Sequence, residues 1–161
     1  MPIRIKKLED ILYKYRLQGK IELELPAYAH EIMMRLRGIE LAADFVVCND
    51  VDLKEYNAFL HSESIEIKDK WTIFATSGQG DFWLLEKHQN NMGFYDHEAE
   101  NIYLTSIQSL DFNLEKWVVL ANLVYQLEEE TDEVSEQEEN DFREELIKLE
   151  IAIENLPFAF L

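Results

Sequence analysis

Residues 71–87 read WTIFATSGQGDFWLLEK, two runs of alternating side chains joined by a glycine-rich turn. Successive side chains of a β-strand point to opposite faces, and here large apolar groups occupy both faces of each run. Gly78 and Gly80 allow the positive φ angles that a tight connection requires. Strands that are apolar on both faces are covered on both sides. The stretch therefore predicts two central strands of an antiparallel sheet.

The flanking sequence extends this hairpin into a predicted α+β fold. HQNN (88–91) is typical of a second turn and MGFYD (92–96) of a third strand, which makes residues 71–96 an antiparallel meander. DFVVC (44–48) is predicted as another strand and SIEIK (64–68) as an edge strand. Apolar residues at three- and four-residue spacing predict five helices. These run from Ile5 to a stop at Gly19, from Pro26 to Gly38, over residues 52–60 with Asp52, Asp50 or Asn49 as the cap, from a cap at Asp111 or Asn113 to Leu127, and from about Ser135 to Asn155.

The length of the chain predicts one domain, because 161 residues can bury one sizeable core but not two. We assign residues 1–130 to the main domain and residues 131–161 to an acidic segment and a C-terminal helix appended to it. The chain ends in LPFAFL, which is very apolar. This tail either docks onto its own domain or contacts another chain, so a homodimer through the tail is left open.

The net charge of −18, from 15 basic and 33 acidic residues, bounds the kind of partner. Such a surface repels phosphate backbones, so we expect no direct binding of nucleic acid and favour a basic protein partner. The charge is also uneven. The first 20 residues hold six basic side chains and two acidic ones, whereas residues 128–145 hold eleven acidic side chains and one basic one. The first segment is predicted to be the partner of this acidic block within the fold; the alternative is a solvated helix face.

The compartment is predicted to be the cytoplasm. No apolar run reaches the ~18 residues of a membrane span, and the first ten residues lack the pattern of a signal peptide. Cys48 is the single cysteine, which is typical of a chain without disulfides.

Three positions offer possible chemistry, and the sequence favours a structural role for each. His97 lies in YDHEAE, but a strand or turn points adjacent side chains apart, and no HExxH or CxxC pattern accompanies it. Cys48 follows two valines in a predicted strand, which indicates a buried and unreactive thiol. Ser77 in TSGQG lacks the GxSxG pattern of a nucleophile turn. We therefore expect no catalytic residue, no metal and no cofactor.

The predicted partner-binding patch combines one tryptophan with acidic side chains. Trp71 and Trp117 are assigned to the core, whereas Trp83 is expected to be exposed beside Asp81, because an aromatic flanked by acids is a credible anchor for a basic partner. The acidic block at 128–145 is a rival patch. The predicted patch consists of Asp81, Trp83, Asp96, Glu98 and Glu100.

The order of motifs resembles the SUKH superfamily, which groups fungal cell-wall-synthesis regulators with many bacterial immunity proteins. LPAYAHEI opens a helix, EYN follows in the next helix, then come the glycine hairpin, GFYDHE and a closing helix from DFNLEKWVVLANL. The resemblance covers residues 7–127. The matching positions are Pro26, Tyr28, Trp71, Phe74, Ala75, Gly78, Gly80, Asp81, Tyr95, Asp96, His97 and Glu98.

This resemblance implies a curved, mainly antiparallel sheet flanked by helices, with no catalytic machinery, and a role in neutralising a toxin, often a nuclease. The acidic charge points the same way independently, because it suits a protein that plugs a basic groove. Two alternatives stay open. One is an intracellular regulatory adaptor of the same fold, and the other is a small hydrolase that uses His97 with Glu98.

Overall fold

Six short strands form one open antiparallel sheet whose strands neighbour one another in chain order, and six α-helices accompany it among the residues that the structure describes. The structure is a computed structural model that describes residues 2–99, 102–129 and 133–158. The strands are β1 (Glu40–Ala42), β2 (Phe45–Val47), β3 (Trp71–Thr76), β4 (Phe82–Glu86), β5 (Met92–Tyr95) and β6 (Ile107–Ser109). The helices are α1 (Leu8–Leu12), α2 (His30–Leu36), α3 (Asp50–Glu63), α4 (Ile65–Lys70), α5 (Leu114–Glu128) and α6 (Glu136–Lys148). The predicted α+β class is confirmed.

The predicted meander is present as β3, β4 and β5. Ile73 pairs with Leu84, and Leu84 pairs with Gly93, so the three strands lie side by side across the centre of the sheet. A β-bulge between Ile73 and Ala75 shifts the register of β3 against β4. Gly80 lies in the turn between β3 and β4 and has a φ of 94°, a backbone conformation that residues other than glycine rarely adopt. Sequence reasoning did not identify β1 and β6.

One face of the sheet carries an aromatic core beneath α5. Trp117 of α5 lies 4.7 Å from the Phe74 ring and 5.7 Å from the Trp83 ring, and Phe45 stacks 5.1 Å from Trp83. All four rings are fully buried. Helix α3 covers the other face, where the side chain of Asn57 bonds to the backbone of β3.

The predicted edge strand SIEIK is wrong, because this segment forms α4. The Ser64 hydroxyl accepts a hydrogen bond from the Ile67 amide at 3.3 Å, which caps the helix. Ile67 is buried whereas Ile65 is 74% exposed, so the two isoleucines do not share a buried strand face. A five-residue alternation is too short to separate a strand from one helical turn.

Three helix predictions are corrected at their ends. Helix α1 is a single turn and does not continue to Gly19. The cap of α3 is Asn49, whose side chain accepts from the Asp52 amide at 2.8 Å, and α3 runs to Glu63 instead of residue 60. The last helix stops at Lys148, because Glu150 adopts a positive φ of 59° that ends the helical path. Asn113 and Ser135 are the caps of α5 and α6.

The C-terminal tail docks in cis as far as the structure describes it. The Phe158 ring lies 5.7 Å from the Trp83 ring and 5.2 Å from the Phe94 ring. Phe142 and Leu146 of α6 are buried in the same apolar cluster as the sheet. Residues 159–161 and the predicted boundary at residues 130 and 131 lie outside the described part.

The predicted pairing of the basic N-terminal segment with the acidic block is not observed. Among residues 2–99, 102–129 and 133–158, no ion pair joins a cation of the first 20 residues to a carboxylate. Instead the backbone of Arg4 is held by Gln126, whose side chain accepts from its N–H at 3.0 Å and donates to its carbonyl at 2.8 Å. Among the described residues, hydrogen bonds and apolar packing attach this segment to α5. No helix of the described residues is long and apolar enough to cross a membrane.

Candidate functional site

Asp81 joins the turn between β3 and β4 to the segment after β5. Its carboxylate is buried and accepts hydrogen bonds from the Ser77 hydroxyl at 2.9 Å, the His97 amide at 3.0 Å and the His97 Nδ1 at 2.6 Å. The Ser77 oxygen in turn accepts from the amides of Gln79 and Asp81, both at 3.1 Å. Residues 77–81 thereby form a closed turn. We call this turn, together with His97, the Asp81 lock.

The hydrogen bonds of the Asp81 lock favour the ion pair between Asp81 and His97. Burial by itself raises the pKa of Asp81, but the bonds from the His97 amide, the His97 ring and Ser77 outweigh it and hold this pKa below its ordinary value. The hydrogen bond to Asp81 raises the pKa of His97 above its ordinary value, with smaller contributions from the charges of Asp81, Glu98 and Asp96.

These two shifts predict a pH window for the stability of the lock. The His97 contribution is complete below its ordinary pKa of 6.5 and is lost as the pH rises through the higher folded value. The Asp81 contribution is complete above 3.8 and is lost as the pH falls through the lower folded value. We expect His97→Ala to destabilise the protein most between about pH 4 and pH 6.5, and progressively less as the pH rises above that range.

The measurement is urea denaturation of the wild type and the variant at several pH values. His88→Ala is the matched control, because His88 is exposed in the turn after β4 and the described residues give it no hydrogen bond. A His97→Ala cost that is constant from about pH 5 to pH 9 would show that the ion pair adds nothing to the fold.

The same residues bring three possible ligand atoms together. One atom each from Asp81, Asp96 and His97 lie within 4.8 Å of one another, and the His97 Nδ1 is 3.8 Å from the Asp96 Oδ1. Sequence reasoning expected adjacent side chains here to point apart, whereas the turn after β5 brings them together. A cation bound by all three would have to replace the hydrogen bond between Asp81 and the His97 Nδ1. A cavity of about 150 Å³ beside them is bordered by Gln79 and Phe158.

The lock does not assemble a nucleophile with a base. The Ser77 hydroxyl donates to Asp81 and not to the His97 ring, so the serine and the histidine are separated by the carboxylate. The Nδ1 of His97 is bonded to Asp81, whereas its Nε2 has no hydrogen bond to the described residues. Asp81, and not the predicted Glu98, is the acidic partner of His97. The arrangement therefore orients an imidazole and closes a turn.

Two wider concavities flank residues 20–26, with volumes of about 360 and 620 Å³. His30 and His61 border them, but both rings bond to backbone carbonyls, those of Leu25 and Trp71. Burial lowers the pKa of His61 below its ordinary value. These histidines hold the backbone. The smaller concavity is also lined by Glu24, Thr72, Lys87 and His88, and the larger one by Lys20, Glu22 and Glu24.

The predicted patch is only partly at the surface. The expectation that Trp83 is exposed is wrong: Trp83 is fully buried, and its indole N–H donates to the carbonyl of Asp44 at 2.8 Å. Asp81 is buried in the lock. Trp83 is buried because Trp117 and Phe158 both cover its face of the sheet. Asp96 and Glu98 are exposed, and Glu100 lies outside the described residues.

The opposite face of the same strands carries aromatic rings that sequence reasoning did not assign to a site. Phe82 and Tyr95 pair across β4 and β5, with ring centroids 6.1 Å apart and planes at 21°. The Tyr56 ring of α3 lies 5.2 Å from Phe82 at 46°. Tyr56 and Phe82 are half-buried, so part of this row faces solvent. Close to the row, Phe59 of α3 is 51% exposed.

Carboxylates border these rings. Asp52, Tyr56, Phe59 and Glu63 follow one another on α3 at helical spacing, so they share one stripe, and Asp96 directly follows Tyr95. Burial raises the pKa of Tyr56 and Tyr95, and nearby acidic groups raise both further. Among the described residues, Asp52 and Glu63 form no ion pair.

We call this region the aromatic–acidic surface: Tyr56, Phe59, Phe82 and Tyr95 with Asp52, Glu63 and Asp96. The sequence signal that could have located it is the α3 stripe. That stripe was cut short because the predicted helix stopped at residue 60, before Glu63.

Comparison with family models, with curated proteins and with solved structures finds no match to this chain. The resemblance to the SUKH superfamily therefore stays a prediction from the sequence motifs. The charges and the geometry of the molecule are independent of that resemblance.

Proposed function

We propose that this chain is a non-enzymatic protein-binding module that neutralises a basic protein by covering it with an acidic surface. The role that fits this description is that of a bacterial immunity protein whose partner is a toxin, of nuclease type. The observation that carries the proposal is the aromatic–acidic surface, where the exposed Phe59 ring and the half-buried Tyr56 and Phe82 rings lie among carboxylates. Its partner would be a protein with a positively charged groove.

The charge distribution supports a basic partner. Residues 40–161 hold 28 acidic and seven basic side chains, so nearly all of the negative charge lies outside the N-terminal segment. Carboxylates without ion pairs repel one another, and a cationic partner relieves that repulsion. Beyond about 8 Å the salt of the cell screens these charges, so the effect is local to the surface that the partner contacts.

The aromatic rings supply what charge alone does not. Exposed charge at the rim of an interface mainly speeds association, whereas a desolvated aromatic centre slows dissociation. Truncating such a centre typically costs about 2 kcal/mol or more of binding free energy. Half-buried Tyr56 and Phe82 are held in place by α3 and β4, so they lose little side-chain entropy when a partner covers them.

The Asp81 lock fits this proposal as a structural element. Both carboxylate oxygens of Asp81 accept hydrogen bonds from within the chain. These bonds fix the turn, and β4 begins directly after it at Phe82. Rigid placement of Phe82 and of the Asp96 segment gives a preformed surface. A preformed surface binds without the entropic cost of ordering a loop.

Rescue of cells from a toxin is the primary test. The protein encoded beside this gene is produced in a host together with the full chain, and survival is measured. Survival with the full chain, and death without it, supports immunity. If no neighbouring product is toxic and pull-down from the native cell returns a regulatory protein, the alternative of an intracellular adaptor replaces immunity.

A charge-neutralising pair of substitutions tests the surface itself. We expect Glu63→Gln with Asp96→Asn to slow association with the basic partner several-fold at about 50 mM salt, with the difference shrinking towards about 500 mM. Asparagine keeps the side-chain oxygen that accepts from the Glu98 amide, so the turn is preserved. Surface plasmon resonance measures both rate constants.

The matched control is Glu144→Gln with Glu154→Gln, which removes the same net charge from exposed positions of the C-terminal segment. We expect this control to associate at nearly the wild-type rate. Equal slowing by both pairs would mean that only net charge matters and would locate the interface elsewhere than at the aromatic–acidic surface.

A further inference from the structure

We infer that the aromatic–acidic surface accepts an arginine side chain of its partner in preference to a lysine. This inference rests on the proposed function, because it names the side chain with which a basic partner would fill that surface. It follows from three features of the surface: the arrangement of the rings, the carboxylates at their border and the tyrosine hydroxyls.

Tyr56 and Phe82 offer flat, partly exposed faces, and Tyr95, which is only 5% exposed, packs beside Phe82. Phe82 and Tyr95 are nearly parallel, and Tyr56 is tilted against Phe82, so the three rings form a stepped row along the edge of α3. A guanidinium group is planar and weakly hydrated, so it stacks on an aromatic face with little loss of hydration. An ammonium group is compact and strongly hydrated, and it gains less from such a row.

The chain contains its own examples of both contacts. The Arg35 guanidinium lies 4.7 Å from the centre of the Tyr13 ring, whereas the Lys70 ammonium lies 5.7 Å from the centre of the Trp71 ring. The arginine approaches its ring more closely in this molecule. No arginine or lysine of the described residues lies over Tyr56, Phe82 or Tyr95.

The border of the row matches the donors of a guanidinium. Glu63 is the last residue of α3, Asp96 directly follows β5, and both carboxylates lie near enough to Tyr95 to raise the pKa of its hydroxyl. A guanidinium carries five N–H donors in a fixed fork and can bond to carboxylates while its plane stacks on a ring. A lysine presents a point charge with three donors and cannot do both in the same way.

The tyrosine hydroxyls complete the acceptors. Within the described ranges, neither the Tyr56 hydroxyl nor the Tyr95 hydroxyl forms a hydrogen bond to the protein. Neither hydroxyl oxygen is completely buried. The hydroxyl of half-buried Tyr56 is therefore open to solvent or to a partner, whereas Tyr95 contributes an acceptor at the buried end of the row. Aromatic rings, carboxylates and hydroxyls in one place select a planar, multi-donor cation.

The test compares two fluorescein-labelled peptides, nona-arginine and nona-lysine, with the full chain at about 150 mM salt by fluorescence anisotropy. The two peptides have equal length and charge, so electrostatic attraction to the acidic surface as a whole is the same for both. We expect about tenfold tighter binding of nona-arginine. We expect Tyr56→Leu and Phe82→Leu each to reduce this ratio to about twofold while nona-lysine binding changes little.

Tyr125→Leu is the matched control, because Tyr125 is an exposed tyrosine of α5 outside this surface, and the ratio should stay near tenfold. Thermal unfolding verifies that each variant is folded. If Phe82→Leu does not fold, the half-exposed Tyr56 carries the test. Equal binding of the two peptides by the wild type, or a ratio that survives Tyr56→Leu, overturns the inference.

The outcome for arginine and the outcome for immunity can be told apart. An arginine preference that depends on Tyr56, together with no rescue from any toxin, supports the arginine site and contradicts the immunity role. Rescue from a toxin without any arginine preference supports immunity and overturns the arginine site alone.

Discussion

Replacing Gly93 with valine is expected to lower the free energy of unfolding by about 2 kcal/mol, although valine is the better strand residue. Gly93 lies in the middle of β5, between its neighbours on β4 and β6. A Cβ atom there would lie 2.6 Å from Cζ3 of Trp71 and 2.9 Å from Cγ2 of Ile107. The Trp71 ring crosses over the strand because the glycine has no side chain.

Two effects of opposite sign compete at Gly93. Strand propensity favours valine by up to about 1 kcal/mol. Overpacking a filled core costs about 1–3 kcal/mol or more, because neighbouring rings must leave their rotamers. Trp71 is only 2% exposed and has no room to move away, so the steric cost is expected to win.

Urea denaturation of Gly93→Val and Gly93→Ala measures this cost. Gly19→Ala is the matched control, because a Cβ there meets nothing within 4 Å, and we expect its stability to stay within about 0.5 kcal/mol of the wild type. A Gly93→Val protein as stable as the wild type would mean that Trp71 does not occupy the space above the strand.

Asn57→Ala is expected to cost about 3 kcal/mol of unfolding free energy, because it removes a buried side chain that makes two hydrogen bonds to β3. Asn57 is buried in α3. Its side-chain oxygen accepts from the Ile73 amide at 2.7 Å, and its side-chain nitrogen donates to the Ile73 carbonyl at 2.9 Å. The amide group thus bonds to β3 as a peptide unit of a neighbouring strand would.

The reason for this arrangement lies in the length of β2. Strand β2 pairs with residues 75 and 76 of β3, and the Cys48 amide still reaches the Phe74 carbonyl at 3.0 Å. Beyond Cys48 the chain turns into α3, which leaves the backbone of Ile73 without a strand on its β2 side, although Leu84 of β4 pairs with it on the other side. Alanine at position 57 would leave both backbone groups buried and unpaired, each at about 1–3 kcal/mol.

Asn57→Asp separates the two hydrogen bonds. A carboxylate still accepts from the Ile73 amide but cannot donate to the Ile73 carbonyl, and it brings a buried charge. We expect Asn57→Asp to be at least as damaging as Asn57→Ala. Lys54→Ala, on the exposed side of α3, is the control and should change stability by no more than about 0.5 kcal/mol. A small cost for Asn57→Ala would mean that water replaces the amide.

The candidate surface shows the limit of reasoning from strand periodicity. The alternation in β4 correctly separated Trp83 from Phe82 and Leu84, because successive strand residues face opposite sides. It did not indicate which side the rest of the chain would cover. Trp83 was expected at the surface, whereas α5 and the tail bury it and leave part of Phe82 exposed.

Contacts across long separations in the chain were not visible in the motifs. Asp81 and His97 were both identified, but Asp81 as a member of an exposed patch and His97 as a histidine whose acidic neighbours were Asp96, Glu98 and Glu100. Their 2.6 Å hydrogen bond follows from the pairing of β4 with β5. Asn57 was not singled out at all. Its role depends on where β2 ends, and a local pattern carries no information about a missing neighbour.

The sequence by itself determined the class of the fold, the central meander and the strong negative charge. These depend on alternation, on glycines at turns and on composition, all of which act within a few residues or on the whole chain at once. Only the tertiary structure decided which face each aromatic occupies, how α3 replaces a strand and where carboxylates meet exposed rings. Such decisions depend on which distant segments compete to cover the same surface, and burial free energy is determined by the folded chain as a whole.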